Sequence, residues 1–379
     1  MPELPEVETV ARDLRGLIVG ATITGARYDW PRTIAGVPAE LFPLLVAGHR
    51  VEGVGRRAKF VLVELDGGLV LSFQLKMTGQ IFVVPAGAPA DRHVRVVIDL
   101  ADGRELRFRD MRKFGRAGLY RREADGRLVP AEPIGGDASR VAEAPAGGVV
   151  AAHARLPAAD LFGRHGPEPL SDEFTVRRFR ERLRRRRGRL KPLLLDQSFV
   201  AGVGNIYADE ALWRARLHPL RRVESLRRRD EARLYRAIRD VLTEAIERRG
   251  SSVDDYTAPK GDGTMQHRLA VYQRTGLPCL RDGHPIRRIV LGARSTHFCS
   301  WCQRLPASDR PGAAAILTAG RVAERAGARG APDGERTGGR VPVASSRRGP
   351  RWSELPAGEG IVGVPGRPSA SAPDHSVGE

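Results

Sequence analysis

The chain opens Met1-Pro2-Glu3-Leu4-Pro5-Glu6, and a small second residue such as proline permits removal of the initiator methionine. The Pro2 nitrogen would then be a free secondary amine, a nucleophile that no side chain supplies. An unperturbed α-amino group has a pKa of about 7.7–8.0, so a useful fraction is neutral and nucleophilic at physiological pH. Attack on a sugar aldehyde carbon would give an iminium. Because the proline nitrogen is already disubstituted, that iminium cannot shed a proton to become a neutral imine; it stays cationic and draws electrons from the neighbouring carbon. Glu3 stands beside it as an acid or base. The same residues could merely start a helix, with Pro5 near its first turn and Glu6 and Glu8 at its positive end.

A second chemical cluster is Cys299-Ser300-Trp301-Cys302, whose C-x2-C spacing lets one tight turn aim two thiolates at a single tetrahedral ion. Cys279 lies upstream; the position three residues on is Asp282, and His284 lies two further. Three thiolates with one oxygen or nitrogen donor make an acceptable zinc site. Asp282 is the better fourth ligand by register, His284 by affinity, and the alternative is a knuckle that has lost its metal. Three cysteines, an odd number confined to this stretch, fit a metal site in a reducing compartment rather than a disulfide framework.

These groups need elements to position them. Val7, Val10, Ala11, Leu14 and Leu17 share one face of a helical period, which predicts an amphipathic helix over about 6–19 whose start leaves Pro2 on the domain surface. From Ala21 the pattern turns to short β-branched runs. Lys59–Leu65, Asp66-Gly67-Gly68 and Leu69–Leu75 read as a hairpin, and Val94–Leu100, Asp102-Gly103 and Glu105–Arg109 repeat the device. Residues 1–128 therefore read as a β-sandwich behind one helix, and the Ala/Gly/Pro-rich stretch 129–160 as a linker. Residues 161–250 are helical in composition, with Ser171 as an N-cap candidate and the loop Gly202-Val203-Gly204-Asn205 able to offer bare backbone N–H groups to a phosphate. Arg184–Arg187 and Arg189 add a basic run beside it. Residues 251–273 read as a loop region, 274–304 as the metal hairpin, and 305–379 as a disordered low-complexity tail.

The 63 Lys+Arg exceed the 45 Asp+Glu to give a formal net charge of +18, which points to a polyanionic partner. Residues 306–379 hold ten Arg, no Lys and eight Asp+Glu, so the excess belongs to the folded part. There is no run of about 18 apolar residues and no basic stretch leading an apolar one; a cytoplasmic protein with no membrane partner is expected.

Met1–Glu6, Arg57-Ala58-Lys59, Asp110-Met111-Arg112-Lys113-Phe114-Gly115, Gly166-Pro167-Glu168-Pro169-Leu170-Ser171, the run Lys191–Glu210 and the Cys279–Cys302 hairpin occur in one order. Together they closely resemble the bacterial formamidopyrimidine-DNA glycosylases, bifunctional 8-oxoguanine DNA glycosylase/AP lyases, over about residues 2–304 apart from the linker. Leu4 favours this family over endonuclease VIII, in which glycine usually follows Pro-Glu. The resemblance implies an α+β fold: an N-terminal β-sandwich with its amphipathic helix, a helix–two-turn–helix domain and a C-terminal zinc-finger β-hairpin, acting as a monomer that grips damaged double-stranded DNA between its halves.

It also implies roles. Pro2 would attack C1′ of the damaged nucleotide while Glu3 manages protons. Lys59 would serve β-elimination and Arg294, in the finger, the second elimination. An enzyme that extrudes a base must fill the hole, and Met77, Arg112 and Phe114 match the family's void fillers. Arg186, Lys191, Asn205 and Glu210 align with further residues of the DNA interface, and one zinc ion would be held by Cys279, Cys299, Cys302 and either Asp282 or His284. Gln74 and Asp91 stand where many members have histidines near the DNA, and Gly263-Thr264-Met265 stands where Gly-Tyr-Phe is common in the lesion-covering loop. A non-catalytic binder of damaged DNA and an endonuclease VIII-like enzyme for oxidised pyrimidines are the rival readings.

Overall fold

The computed structural model describes residues 2–131, 159–252, 261 and 263–320. Helix α1 (Leu4–Ile18) begins after Glu3, whose extended backbone makes it the N-cap, and Pro5 occupies a first-turn position where the missing N–H is no loss. Glu3 N donates to Glu6 Oε2 at 2.8 Å. Val7, Val10, Ala11 and Leu14 are fully buried as their spacing predicts, with Ile18 rather than Leu17 completing the stripe.

The stripe packs into a β-sandwich. Strands β1 (Ile23–Tyr28), β2 (Ile34–Ala35), β3 (Val51–Arg57), β4 (Phe60–Leu65), β5 (Leu69–Gln74), β6 (Gly79–Pro85), β7 (Val94–Leu100), β8 (Arg104–Asp110), β9 (Arg116–Arg122) and β10 (Leu128–Pro130) form two sheets. One runs β1-β7-β8-β6; the other runs β10-β9-β5-β4-β3, with β2 parallel to β9. Both expected hairpins are present, as β4–β5 and β7–β8, their turns using positive φ at Gly67, Gly68 and Gly103. Val10 and Leu14 share their core with Phe73 and Phe108. Strand β10 carries the sandwich two residues past its expected end, and Leu161 N returns to Leu128 O at 2.8 Å. Most of the expected linker, 132–158, lies outside the described residues.

The second half is helical. It contains α3 (Val176–Arg184), α4 (Leu190–Leu195), α5 (Asn205–Arg214) and α6 (Arg228–Glu247), α2 being the short helix Phe42–Val46 of the first half. The N-cap of α3 is Thr175, whose Oγ1 accepts from Arg178 N; Ser171 is instead spent on a turn back to Glu168 O. Leu4 belongs to this second core, with Phe199, Val203 and Tyr207, so α1 begins in one half and continues in the other. Arg249 closes the same seam with two hydrogen bonds to Asp13, at 3.0 and 2.7 Å. The hairpin β11 (Arg287–Leu291) and β12 (Arg294–Phe298) turns through Gly292 and Ala293, both at positive φ, the signature of a type I′ turn. The chain expected to be tail from residue 305 stays folded to 320, with Leu305 and Ala313 buried; 321–379 lie outside the described residues.

Candidate active site and nucleic-acid interface

Pro2 is buried, not on the surface as expected, because the helical half closes over the start of α1. Leu4 N donates to Gly202 O at 3.1 Å. The Glu3 carboxylate accepts from Ile206 N at 2.8 Å and Tyr207 N at 3.3 Å, so an acid from α1 caps the positive end of α5. The glycine loop before α5 is therefore filled by the protein's own N-terminus rather than left open to a phosphate. A Cβ on Gly204 would lie 2.3 Å from Glu3 Cδ, and one on Gly202 would meet Leu4 at 2.6 Å. Beneath Glu3, Glu6 accepts from Tyr207 Oη at 2.5 Å and Ser251 N at 2.8 Å. Burial and the neighbouring Glu3 charge raise its pKa, against these donors.

Lys59 is the second residue of the two-residue turn between β3 and β4, after Ala58 at φ +54°. Glu168 pins that turn, accepting from Ala58 N at 2.5 Å and from the Arg57 guanidinium at 2.7 Å and forming an ion pair with Arg56 at 2.7 Å. Burial works against the Glu168 carboxylate, yet Arg56, Arg57 and the Ala58 N–H hold its pKa below the usual range. The Lys59 ammonium is pushed down by burial and by the positive charges of Arg294 and Lys76, with Glu3 and Glu6 pulling the other way. Arg294 sits exposed at the start of β12. Lys59, in the β3–β4 turn, thus lies near enough to Glu3, the neighbour of Pro2, and to Arg294 of the finger to feel both charges.

A second cluster stands out in solvent. Met77 is 40% and Phe114 49% exposed, and the Arg112 guanidinium lies 3.1 Å from Met77 Sδ and 5.0 Å from the centre of the Phe114 ring. Their two loops are fastened by one buried acid that sequence reasoning gave no role. Asp110 accepts from Thr78 Oγ1 at 2.5 Å, Arg112 N at 3.2 Å and Gly115 N at 2.7 Å. The glycines near Met77 and Phe114 are required by close approach: a Cβ on Gly79 would lie 2.4 Å from Leu75 O, and one on Gly115 2.4 Å from Phe108 Cζ.

Helix α5 carries the remaining candidates. Asn205 Nδ2 donates to Ser295 O at 3.0 Å, and its Oδ1 is buried without a hydrogen-bond partner. Arg186, partly exposed, holds Ser198 Oγ at 2.9 Å and Asp196 at 3.5 Å. Lys191 and Glu210, expected at the DNA interface, are both enclosed, at 0% and 1% exposure. Lys191 Nζ donates to Asp209 Oδ1 and, at 3.1 Å, to Asn205 O, while Asp209 Oδ2 takes His297 N of the finger at 3.0 Å. Glu210 accepts the N–H groups of Ala270, Val271 and Tyr272, each at 2.9 Å. Burial depresses the Lys191 pKa and raises that of Glu210 in spite of these partners. Both residues position backbone.

Of the departures noted in the sequence, Asp91 is neutralised by Arg109 at 2.6 Å, and Gln74 ends strand β5. Met265 is fully buried in the helical core; residues 253–260 and 262 of that loop lie outside the described residues.

At the knuckle, one donor atom from each of Cys279, Asp282, Cys299 and Cys302 falls within 4.8 Å of all the others, and Cys299 Sγ is 3.4 Å from both Asp282 oxygens. Tetrahedral zinc with bonds of about 2.3 Å to sulfur and about 2.1 Å to oxygen separates its ligand atoms by roughly 3.5–3.8 Å, so this donor set fits one zinc ion. His284 does not join it: its ring stacks on Trp301, centroids 4.4 Å apart and planes 9° apart, with the side chain 46% exposed. Of the two candidates, Asp282 is the one placed to complete the donor set. Trp213 Nε1 and the Arg281 guanidinium donate to Cys279 and Cys302 sulfurs at 3.4 and 3.3 Å, the kind of outer hydrogen bonding that steadies thiolate ligands.

Residues 1–117 match the formamidopyrimidine-DNA glycosylase N-terminal domain, residues 165–257 the formamidopyrimidine-DNA glycosylase H2TH domain, and residues 276–305 the zinc finger found in FPG and IleRS. The formamidopyrimidine-DNA glycosylase of Herpetosiphon aurantiacus is 46% identical over 309 residues, covering 80% of this chain and all of the relative. That of Roseiflexus sp. is 45% identical with the same coverage. Among solved structures, the Fpg protein of Thermus thermophilus superposes with a TM-score of 0.65 at 40% identity, and Lactococcus lactis Fpg bound to abasic-site DNA with 0.66 at 33%; each match covers 80% of this chain and 99–100% of the other. The chain therefore belongs to the formamidopyrimidine-DNA glycosylase family.

Proposed function

We propose that this protein excises oxidised purines, 8-oxoguanine and formamidopyrimidines, from double-stranded DNA and then cleaves the strand at the same site. Its relatives named formamidopyrimidine-DNA glycosylase and the Lactococcus lactis Fpg complexes with Fapy-dG and abasic-site DNA support that substrate class. The observation that carries the reading is the placement of Lys59 near both Glu3, the neighbour of Pro2, and Arg294 of the finger.

After loss of Met1, the Pro2 nitrogen bonds to C1′ of the lesion nucleotide as the bond from C1′ to the base breaks and the base leaves with a proton. The C1′–O4′ bond then breaks, O4′ taking a proton, to leave an iminium that acidifies the C2′ proton; loss of that proton expels the 3′ phosphate, and a second elimination, with loss of the C4′ proton, expels the 5′ phosphate. Glu3, fixed by the α5 N–H groups, is suited to exchange protons at the opened sugar. Lys59, with its pKa depressed, offers a neutral amine at lower pH than an ordinary lysine, and Arg294 pairs with the departing 5′ phosphate. Met77, Arg112 and Phe114 fill the space of the extruded base, while Arg186 and Asn205 meet backbone phosphates. Zinc, held by Cys279, Cys299, Cys302 and Asp282, would supply a structural crosslink to the finger.

A 5′-labelled duplex with 8-oxoguanine opposite cytosine tests this. The full chain should leave a one-nucleotide gap with phosphate on both ends, and Arg294→Ala should shift product toward the single-elimination end. Lesion binding with no base release even after alkali would favour the non-catalytic reading, and faster action on oxidised pyrimidines the endonuclease VIII-like one.

A further inference from the structure

Family similarity ends at residue 305, and the relatives above are matched over their whole length; yet this chain continues in ordered form to residue 320. The continuation lies on the finger. Leu305 and Ala313 are buried with Ile289 of β11, Phe298 of β12 and Leu220 of the helical half, and Ile316 and Leu317 pack against the same group. At Gly320 the backbone comes so near β11 that a Cβ would lie 2.6 Å from Ile289 Cγ2. Polar contacts fasten the other side. Asp309, 4% exposed, accepts from Arg222 N at 3.1 Å and Ser225 Oγ at 2.7 Å. Arg189, from the basic run, donates to Gly312 O and to Leu220 O.

We propose that residues 306–320 are a strap that clamps the finger hairpin onto the helical domain, so that the hairpin's orientation does not rest on the metal knuckle alone. A loop from 218 to 225, the outer face of the hairpin and the strap share one apolar cluster, with a buried carboxylate satisfied across the joint. Beside the Asn205–Ser295 and Asp209–His297 hydrogen bonds, that is an apolar tie between finger and helical half, independent of the Cys279–Cys302 site. The knuckle of this chain has a carboxylate in place of a fourth thiolate, and the strap supplies apolar contact that metal loss does not remove. Because the hairpin carries Arg294, the strap positions that residue; this last step rests on the function proposed above.

The test uses the full chain in wild-type form, as Asp309→Ala/Ala313→Glu to undock the strap, and as Asp309→Asn, which keeps one acceptor. Hydrogen exchange over 286–298 is measured with zinc bound and after chelation, metal release being checked by zinc analysis. Wild type should keep its hairpin protection within about twofold after zinc is removed, the undocked variant should lose about tenfold or more, and Asp309→Asn should fall close to wild type. The undocked variant without zinc should also shift its products from double to single elimination. Equal loss of protection in wild type and the undocked variant on chelation would overturn the proposal, as would full protection in the undocked, zinc-free protein. Exchange that behaves as expected with no change in products supports the strap and refutes the role given to Arg294.

Discussion

Two groups of residues share a motif-level signature and differ in exposure. Met77, Arg112 and Phe114 are held out in solvent on loops whose backbone is fastened by the buried Asp110. Around α5, by contrast, Lys191, Asp209 and Glu210 are enclosed, and each is spent on fixing something else: the finger or the 270–272 backbone. The comparison separates groups that can meet DNA from groups that fix their positions. Charged side chains buried in pairs contribute little net stability as pairs, but losing one partner leaves the other uncompensated.

The sharpest way to break that distinction is through the Lys191–Asp209 pair. Lys191→Ala should destabilise the fold by about 3–5 kcal/mol, read by urea denaturation, whereas Phe114→Ala should stay within about 0.5 kcal/mol of wild type while impairing excision. Lys191→Met/Asp209→Leu should recover part of the loss, the remainder being the stranded His297 N–H. Equal stability losses at Lys191 and Phe114 would erase the comparison.

Asp110 tests the exposed side. Asp110→Ala removes three hydrogen bonds and should cost about 1–3 kcal/mol, but its larger effect should be on catalysis, a drop of roughly 10²-fold from misplaced fillers. An Arg112→Ala/Asp110→Ala double variant should then be little worse than either alone. Fully additive losses would mean that Asp110 does not act through Arg112.

The smallest expected effect is in the pH dependence. His218 is buried against Phe298, and burial, with Arg189 and Arg287 nearby, lowers its pKa from 6.5 to about 3. Its depressed folded pKa means that the unfolded chain takes up the proton first as pH falls. Stability from this residue is present above pH 6.5 and is lost between 6.5 and about 3, amounting to about 2 kcal/mol by pH 5. Denaturation of His218→Asn at pH 7 and pH 5 should show a shallower decline than wild type; identical slopes would contradict the assignment.

Much of the fold was legible because it rests on local signals: the α1 stripe, the paired hairpins with their Asp-Gly turns, and the C-x2-C knuckle. The burial of Pro2, Lys191 and Glu210 was not, because it arises from the two halves closing on each other, which no periodicity reports. Similarity assigned Glu210 and Met77 alike to the DNA interface, though one is at 1% and the other at 40% exposure. Asp110 and Glu168 were visible inside quoted motifs but carried no role, since their partners lie on other segments of the chain. His284 was attractive by affinity, and it is the folded placement of Asp282 among the thiols and of His284 on Trp301 that favours Asp282. The 305–320 strap was missed because its Ala- and Gly-rich composition mimics a solvated tail, its few apolar residues gaining a partner only in the folded finger.

The central claim is a bond between the Pro2 nitrogen and deoxyribose. Incubating the full chain with an 8-oxoguanine duplex and sodium borohydride, followed by peptide mapping of the adduct, tests it directly. A reduced sugar linked to an N-terminal Pro2 peptide, nearly absent in Pro2→Gly, is the expected result; an adduct on any lysine, or active enzyme still carrying Met1, would contradict it.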